Sequence, residues 1–212
     1  MDFRFPVFLD LSQKKCLVTG EGYEVAAKVQ ALVDGSAQVV YVNPSAEPAI
    51  EALADAGLIH WEQRDVSPAD LSGCFLVITD RADNSEIFRL AEEQGILCNS
   101  VDDPTHCRFS FGSIHRRGEL TIAISTNGWA PAVAVRLKER FQREIGPEYA
   151  DFLELLKQAR PQISARITDF AARRELWYRI VDSEALTLLE RGEKEAAAQL
   201  VQQLIDTAAV PR

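Results

Sequence analysis

Short apolar runs alternate with stretches of helical spacing through the first hundred residues. KCLVT (15–19) reads as a strand. The segment 24–34 then sets Val25, Val29, Leu32 and Val33 at i, i+4, i+7 and i+8 of one helical face, with Gly35 as the stop. QVVYVN (38–43) reads as a second strand, and Ser45 as the N-cap of a helix that ends at Gly57. LIHWEQ (58–63), CFLVITD (74–80) and ILCNSV (96–101) read as three more strands. A helix over 84–94, closed by Gly95, joins the last two. Before CFLVITD, the segment DVSPADLSG predicts a single helical turn with Ser67 as N-cap and Pro68 at its first position. Strands joined by helical crossovers predict an α/β fold with a five-stranded parallel sheet covered on both faces.

The pattern changes after residue 103. RFSFGSI and ELTIAIS alternate around His115-Arg116-Arg117-Gly118, which predicts an antiparallel hairpin. After STNGWAP the spacing is helical to the end. Pro131 and Pro147 stand at expected helix starts, and Pro161 is expected to kink or divide a helix. No repeat or low-complexity segment interrupts the chain.

The 212 residues are 47% hydrophobic and 26% charged, an ordinary globular composition. No apolar run reaches the roughly 18 residues of a membrane span, and the start, MDFRFPVFLDLSQKK, lacks a signal-peptide core. A cytoplasmic protein that does not enter the membrane is the expectation. Cys16, Cys74, Cys98 and Cys107 form no close pair, so neither a zinc ribbon nor a disulfide framework is indicated. The net charge of −9 argues against nucleic-acid binding but is unevenly spread. Residues 1–103 carry 7 basic against 18 acidic side chains, and residues 104–179 carry 13 against 8. A basic middle on an acidic protein suits an anionic partner, although solvated helix faces produce the same count.

Two segments have the character of a site. Gly20-Glu21-Gly22-Tyr23-Glu24-Val25 follows the first strand and opens the first helix, where a dinucleotide diphosphate needs a tight turn, close backbone approach and free amides. The acidic ribose-binding residue expected after the second strand is replaced by Asn43-Pro44-Ser45, of which Asn43 and Ser45 can hydrogen-bond a ribose hydroxyl. Glu21 opposes anion binding there unless its carboxylate points away. The second segment is Cys98-Asn99-Ser100-Val101-Asp102-Asp103-Pro104, at the carboxyl end of the fifth strand. A carboxylate at that edge is placed for proton transfer, while aspartates before proline also serve as turn formers. His60 reads as structural, and His106 and His115 as surface residues; no spacing makes a metal site.

Taken in order, the strand-GxG-helix with Lys28, then CNSVDDP, then STNGWAP (125–131), then an Arg-rich helix with RRELWYRIV resembles the siroheme synthase N-terminal region family. Its members are precorrin-2 dehydrogenases and sirohydrochlorin ferrochelatases. The resemblance spans essentially the whole chain. It departs at Glu21 and Tyr23-Glu24, where the family loop usually reads GGGxVAxRK, and at Thr126, where serine is frequent. It implies a Rossmann-like NAD-binding domain over 1–112, a dimerisation segment over 113–146 and a helical domain over 147–212, assembled as a homodimer. It also implies NAD-dependent oxidation of precorrin-2 to sirohydrochlorin, with ferrous iron as a further substrate in some members. By the same resemblance Asp102 is the catalytic aspartate, and Gly20, Gly22, Tyr23, Glu24, Asn43, Pro44 and Ser45 line NAD. Ser125, Thr126 and Asn127 face the anionic tetrapyrrole. The alternative from another class is a tetrapyrrole-binding or carrier protein whose nucleotide site has decayed.

Overall fold

The computed structural model describes residues 5–208. Residues 1–4 and 209–212, the outer ends of the first and third expected domains, lie outside the described residues. The chain divides between Phe111 and Gly112 into two compact units.

In the first unit, β1 (Lys15–Gly20), α1 (Tyr23–Asp34), β2 (Gln38–Val42), α2 (Pro48–Asp55) and β3 (His60–Glu62) come first. A 3-10 turn (Pro68–Leu71), β4 (Leu76–Asp80), α3 (Ser85–Gln94) and β5 (Leu97–Ser100) follow. The five strands are parallel and lie in the spatial order β3-β2-β1-β4-β5, a Rossmann-like sheet. β1, β2 and β4 are continuous apolar runs because both faces are buried. Along β1, Cys16 and Val18 pack with Val25, Val29, Tyr41 and Ile50, while Leu17 points to the opposite core with Val42, Leu71, Val77 and Ala91. The chain builds outward from β1 through β2 to β3, then crosses back to β4. Loops after β1 and β4 therefore diverge at the carboxyl edge and leave a crevice between them.

Local chemistry explains where the elements begin. The second helix starts at Pro48 with Glu47 as its N-cap, not at Ser45 as the sequence predicts. Proline presets the first helical φ, and the Ser45 hydroxyl is engaged elsewhere. The turn at Pro68 forms as expected. One Asp70 oxygen accepts both the Ser67 N–H (2.7 Å) and the Ser67 hydroxyl (3.0 Å), and Arg64 Nη1 donates to the same oxygen at 2.8 Å.

The second unit opens with an antiparallel hairpin, β6 (Ser113–Arg117) and β7 (Leu120–Ile124). His115-Arg116-Arg117 belongs to β6, and the turn itself is only Gly118-Glu119, with Gly118 at φ 54°. Helices α4 (Pro131–Glu144), α5 (Glu148–Arg166), α6 (Phe170–Val181), α7 (Ala185–Glu190) and α8 (Lys194–Ala208) complete it. Phe152, Ile163, Leu176, Ile180, Val201 and Ile205 form the core of the last four. Pro161 does not divide α5, because buried Ala159 and Ile163 anchor the helix on either side of the missing N–H. Among the described residues no helix is long and apolar enough to cross a membrane.

Candidate active site

At the carboxyl edge of the sheet, Gly20 ends β1 in register with Asp80 at the end of β4. Its φ is 116°, and a Cβ built on it would lie 2.5 Å from the Asp80 carbonyl oxygen and 2.6 Å from the Asp80 Cβ. Only glycine permits this approach of the two strand ends. Gly22, at φ 93°, is the N-cap of α1; no side chain caps that N-terminus, and a Cβ on Gly22 would meet nothing within 4 Å. The result is an open space at the first turn of a helix, which fits the diphosphate of a dinucleotide. Tyr23 is exposed beside it, and Glu24 is drawn along α1 by an ion pair with Lys28 at 3.1 Å. A cavity of about 500 Å³ opens here, lined by Gly20, Glu21, Asn43, Asp80, Arg81 and Asp83. Arg81 makes no ion pair among the described residues and is the one basic side chain among three carboxylates in the cavity lining.

The Asn43 side chain and the Ser45 hydroxyl proton are already engaged within the protein. Asn43 is buried; its Oδ1 accepts the Gly20 N–H (3.2 Å), and its Nδ2 donates to Glu21 Oε1 (3.1 Å) and to the Ser45 carbonyl (2.9 Å). The Ser45 hydroxyl donates to the same Glu21 oxygen at 2.5 Å. Pro44 is exposed and adds no polar side-chain group. The Glu21 carboxyl is held below its ordinary range by the bonds from Ser45 and then Asn43, so it stays ionised and is turned toward β2.

Past β5 the chain makes a tight turn. The Asp103 N–H donates to the Ser100 carbonyl (3.3 Å), and Asp102 takes the left-handed conformation at φ 54°. The Cys107 thiol braces this turn from behind. It accepts the Ser100 N–H at 3.2 Å and lies 3.1 Å from the Ser100 carbonyl and 3.3 Å from the Asp103 carbonyl. The two aspartates then differ in kind. Asp103 accepts from the Thr105 hydroxyl (2.7 Å) and pairs with His106 Nδ1 (2.6 Å), and those contacts lower its pKa in that order. Asp102 is exposed and takes no hydrogen bond to its carboxylate among the described residues. Its charge reaches Asp80, whose carboxyl is pushed up first by burial and then by Asp102. Two acidic groups thus stand at the ends of neighbouring strands.

Two histidine expectations are corrected. His115 is buried, 2% exposed, with Nε2 3.2 Å from the Ile145 carbonyl, because alternation along β6 turns it inward. His60 is exposed on the edge strand, 3.5 Å from Glu62. Among the described residues no group of three or more His, Cys, Asp or Glu is arranged to hold a metal ion.

Ser125, Thr126 and Asn127 form a turn in the second unit. The Ser125 hydroxyl accepts the Asn127 N–H (3.1 Å), Thr126 Oγ1 accepts the Ala130 N–H (3.3 Å), and Asn127 is left-handed at φ 52°. Thr126 thereby does the hydrogen bonding a serine would do, leading the chain into α4. Sequence reasoning passed over Asp80, Arg81 and Cys107. Asp80 was within reach of it, as the last residue of the most apolar strand, at the edge where ligands of such sheets bind.

Three family models match the chain. One described as putative NAD(P)-binding covers residues 7–113, one described as sirohaem biosynthesis protein central covers 117–144, and one described as sirohaem synthase dimerisation region covers 148–205. The siroheme synthase 1 of Serratia proteamaculans is 35% identical over 208 residues, which are 96% of this chain and 44% of that protein. The siroheme synthase of Methylococcus capsulatus is 33% identical over 212 residues, 99% of this chain and 44% of that protein. The chain thus spans less than half the length of these relatives. A solved structure named SirC, precorrin-2 dehydrogenase, shares the fold with a TM-score of 0.77 at 21% identity, covering 94% of this chain and 99% of that one.

Proposed function

This chain belongs to the siroheme synthase family, in the region that carries its NAD(P)-binding, central and dimerisation segments, and we propose that it oxidises precorrin-2 to sirohydrochlorin with NAD⁺. The observation that carries this reading is the pairing of an open glycine cradle with an unengaged Asp102 carboxylate at one sheet edge. Gly20 and Gly22 let the backbone approach the diphosphate, Arg81 offsets its charge, and Tyr23, Glu24, Asn43, Pro44 and Ser45 frame the loops on either side. Bound NAD⁺ supplies the hydride acceptor. The oxidation releases one hydride and one proton, and Asp102 takes the proton. Its left-handed turn presents the carboxylate outward, and Asp103, tied to Thr105 and His106, is withdrawn from that role.

The substrate is an anionic tetrapyrrole, contacted by Ser125, Thr126 and Asn127 and drawn by the excess of basic residues over 104–179. Ferrous iron is a possible second substrate. Inserting it displaces two pyrrole protons, and Asp102 is the group placed to take them or steer the ion. The nucleotide domain is residues 1–112. A dimerisation segment over 113–146 and a helical domain over 147–212 follow, and the match of 148–205 to a dimerisation region supports assembly as a homodimer. The enzyme works in the cytoplasm. A calorimetric titration with NAD⁺, followed by measurement of NADH formed from precorrin-2, tests the reading. Heat on titration and NADH production support it; no heat and no NADH favour a tetrapyrrole carrier with a decayed nucleotide site.

A further inference from the structure

We infer that Glu21 is the residue that reads the adenosine ribose and makes this site select NAD over NADP. The inference rests on the dinucleotide reading above. In a Rossmann sheet the ribose hydroxyls are taken by an acidic side chain at the carboxyl end of β2. Here that position is Asn43, and its side chain is fully engaged with Gly20, Glu21 and Ser45. The carboxylate arrives instead from the neighbouring loop. Glu21 leaves the end of β1, reaches across to the end of β2, and is fixed there through one oxygen, Oε1, by Asn43 Nδ2 and the Ser45 hydroxyl. Its second oxygen, Oε2, accepts nothing among the described residues, and Glu21 lines the cavity of about 500 Å³.

The platform under Glu21 is rigid. The buried Tyr41 hydroxyl lies 2.6 Å from the Gly20 carbonyl and 3.1 Å from the Ser45 carbonyl, which ties the two loops together. Trp61 Nε1 donates to the Asn43 carbonyl at 3.0 Å and holds the β2 loop from the other side. The hydrogen bonds to Oε1 keep the group ionised. An anchored, charged acceptor with one open oxygen accepts the 2′-hydroxyl of NAD. The 2′-phosphate of NADP would place about two like charges against it. The unpaired cation of the cavity, Arg81, comes from the loop after β4, not from β2. The same placement explains how a glutamate survives in a diphosphate loop: it is turned away from the amides.

The test is titration of the intact chain with NAD⁺ and with NADP⁺, in the wild type and in Glu21→Gln. The amide carbonyl of Gln retains an acceptor for Ser45 but removes the charge. The wild type is expected to bind NAD⁺ at least about tenfold tighter than NADP⁺, and Glu21→Gln to bring the two affinities within about threefold, mostly by weakening NAD⁺. Unfolding midpoints of the two proteins are expected to coincide, which separates loss of recognition from loss of fold. An unchanged affinity ratio in Glu21→Gln, with NAD⁺ still bound, overturns the inference and leaves the dinucleotide reading standing. Tighter NAD⁺ binding in the variant also overturns it, because Glu21 would then be opposing the diphosphate. A wild type that prefers NADP⁺ overturns it as well. A wild type that binds neither dinucleotide overturns both readings.

Discussion

Gly20→Ala and Gly22→Ala separate what the glycine loop does for the fold from what it does for a ligand. At Gly20 an added methyl group meets Asp80 backbone and Cβ atoms at 2.5 to 2.9 Å, and a strand end cannot retreat as a flexible side chain can. Holding an alanine at φ 116° costs about 1–3 kcal/mol, and overpacking against a neighbouring strand adds about 1–3 kcal/mol. The expected loss is therefore about 2–6 kcal/mol. Gly22 carries only the backbone cost, about 1–3 kcal/mol, because its Cβ would stand in open space. That open space is where the diphosphate is expected, so Gly22→Ala should weaken NAD⁺ by about tenfold or more. Urea unfolding of the first unit can be followed by half-buried Trp61 once Trp129 and Trp177 are replaced by phenylalanine, and calorimetry gives the NAD⁺ affinity. A Gly20→Ala protein within about 0.5 kcal/mol of its parent would refute the close-approach argument. So would a Gly22→Ala protein less stable than Gly20→Ala.

Three further outcomes follow from the same geometry. The folded-state pKa of Asp80 lies above its unfolded value, so its ionised form opposes folding. Asp80→Asn should be the more stable protein at pH 7, with the gap shrinking as pH falls through the raised folded pKa and gone once pH is below about 4, read from urea midpoints across pH. Asp70 has the opposite sign. Arg64 and Ser67 depress its pKa, so Asp70→Asn should lose about 1–2 kcal/mol at pH 7, a deficit that shrinks as pH drops through the acid range below about 4. Cys107→Ala removes the thiol that pairs with Ser100, and should cost about 1–2 kcal/mol and lower the oxidation rate through a loosened Asp102 turn; a rate equal to wild type would count against that brace.

The sheet was legible because strands buried on both faces must be continuous apolar runs, and β1, β2 and β4 each are. Boundaries were less so: Ser45 and Pro48 both carry helix-start signals, and only the bond from Ser45 to Glu21 shows which one prevails. The role of Glu21 depends on a partner 24 residues away, brought close by the β1–β2 pairing, so no local pattern reveals it. Asp102 and Asp103 are equivalent as letters. A single left-handed residue sends one carboxylate outward and leaves the other to Thr105 and His106. His115 was misjudged because the hairpin turn lies two residues further on, at Gly118-Glu119, which puts it within β6.

Replacing Asp102 and Asp103 one at a time by asparagine puts the proposed catalysis to its most direct test. Asparagine tolerates the left-handed conformation that Asp102 adopts, so the turn is retained and only the proton acceptor is lost. With saturating NAD⁺ and precorrin-2, the rate of NADH formation should fall about a hundredfold or more in Asp102→Asn and remain within about tenfold of wild type in Asp103→Asn. The affinity for NAD⁺ should be the same in all three proteins. A near-normal rate in Asp102→Asn, or equal losses in the two variants, would contradict the assignment of Asp102 as the base.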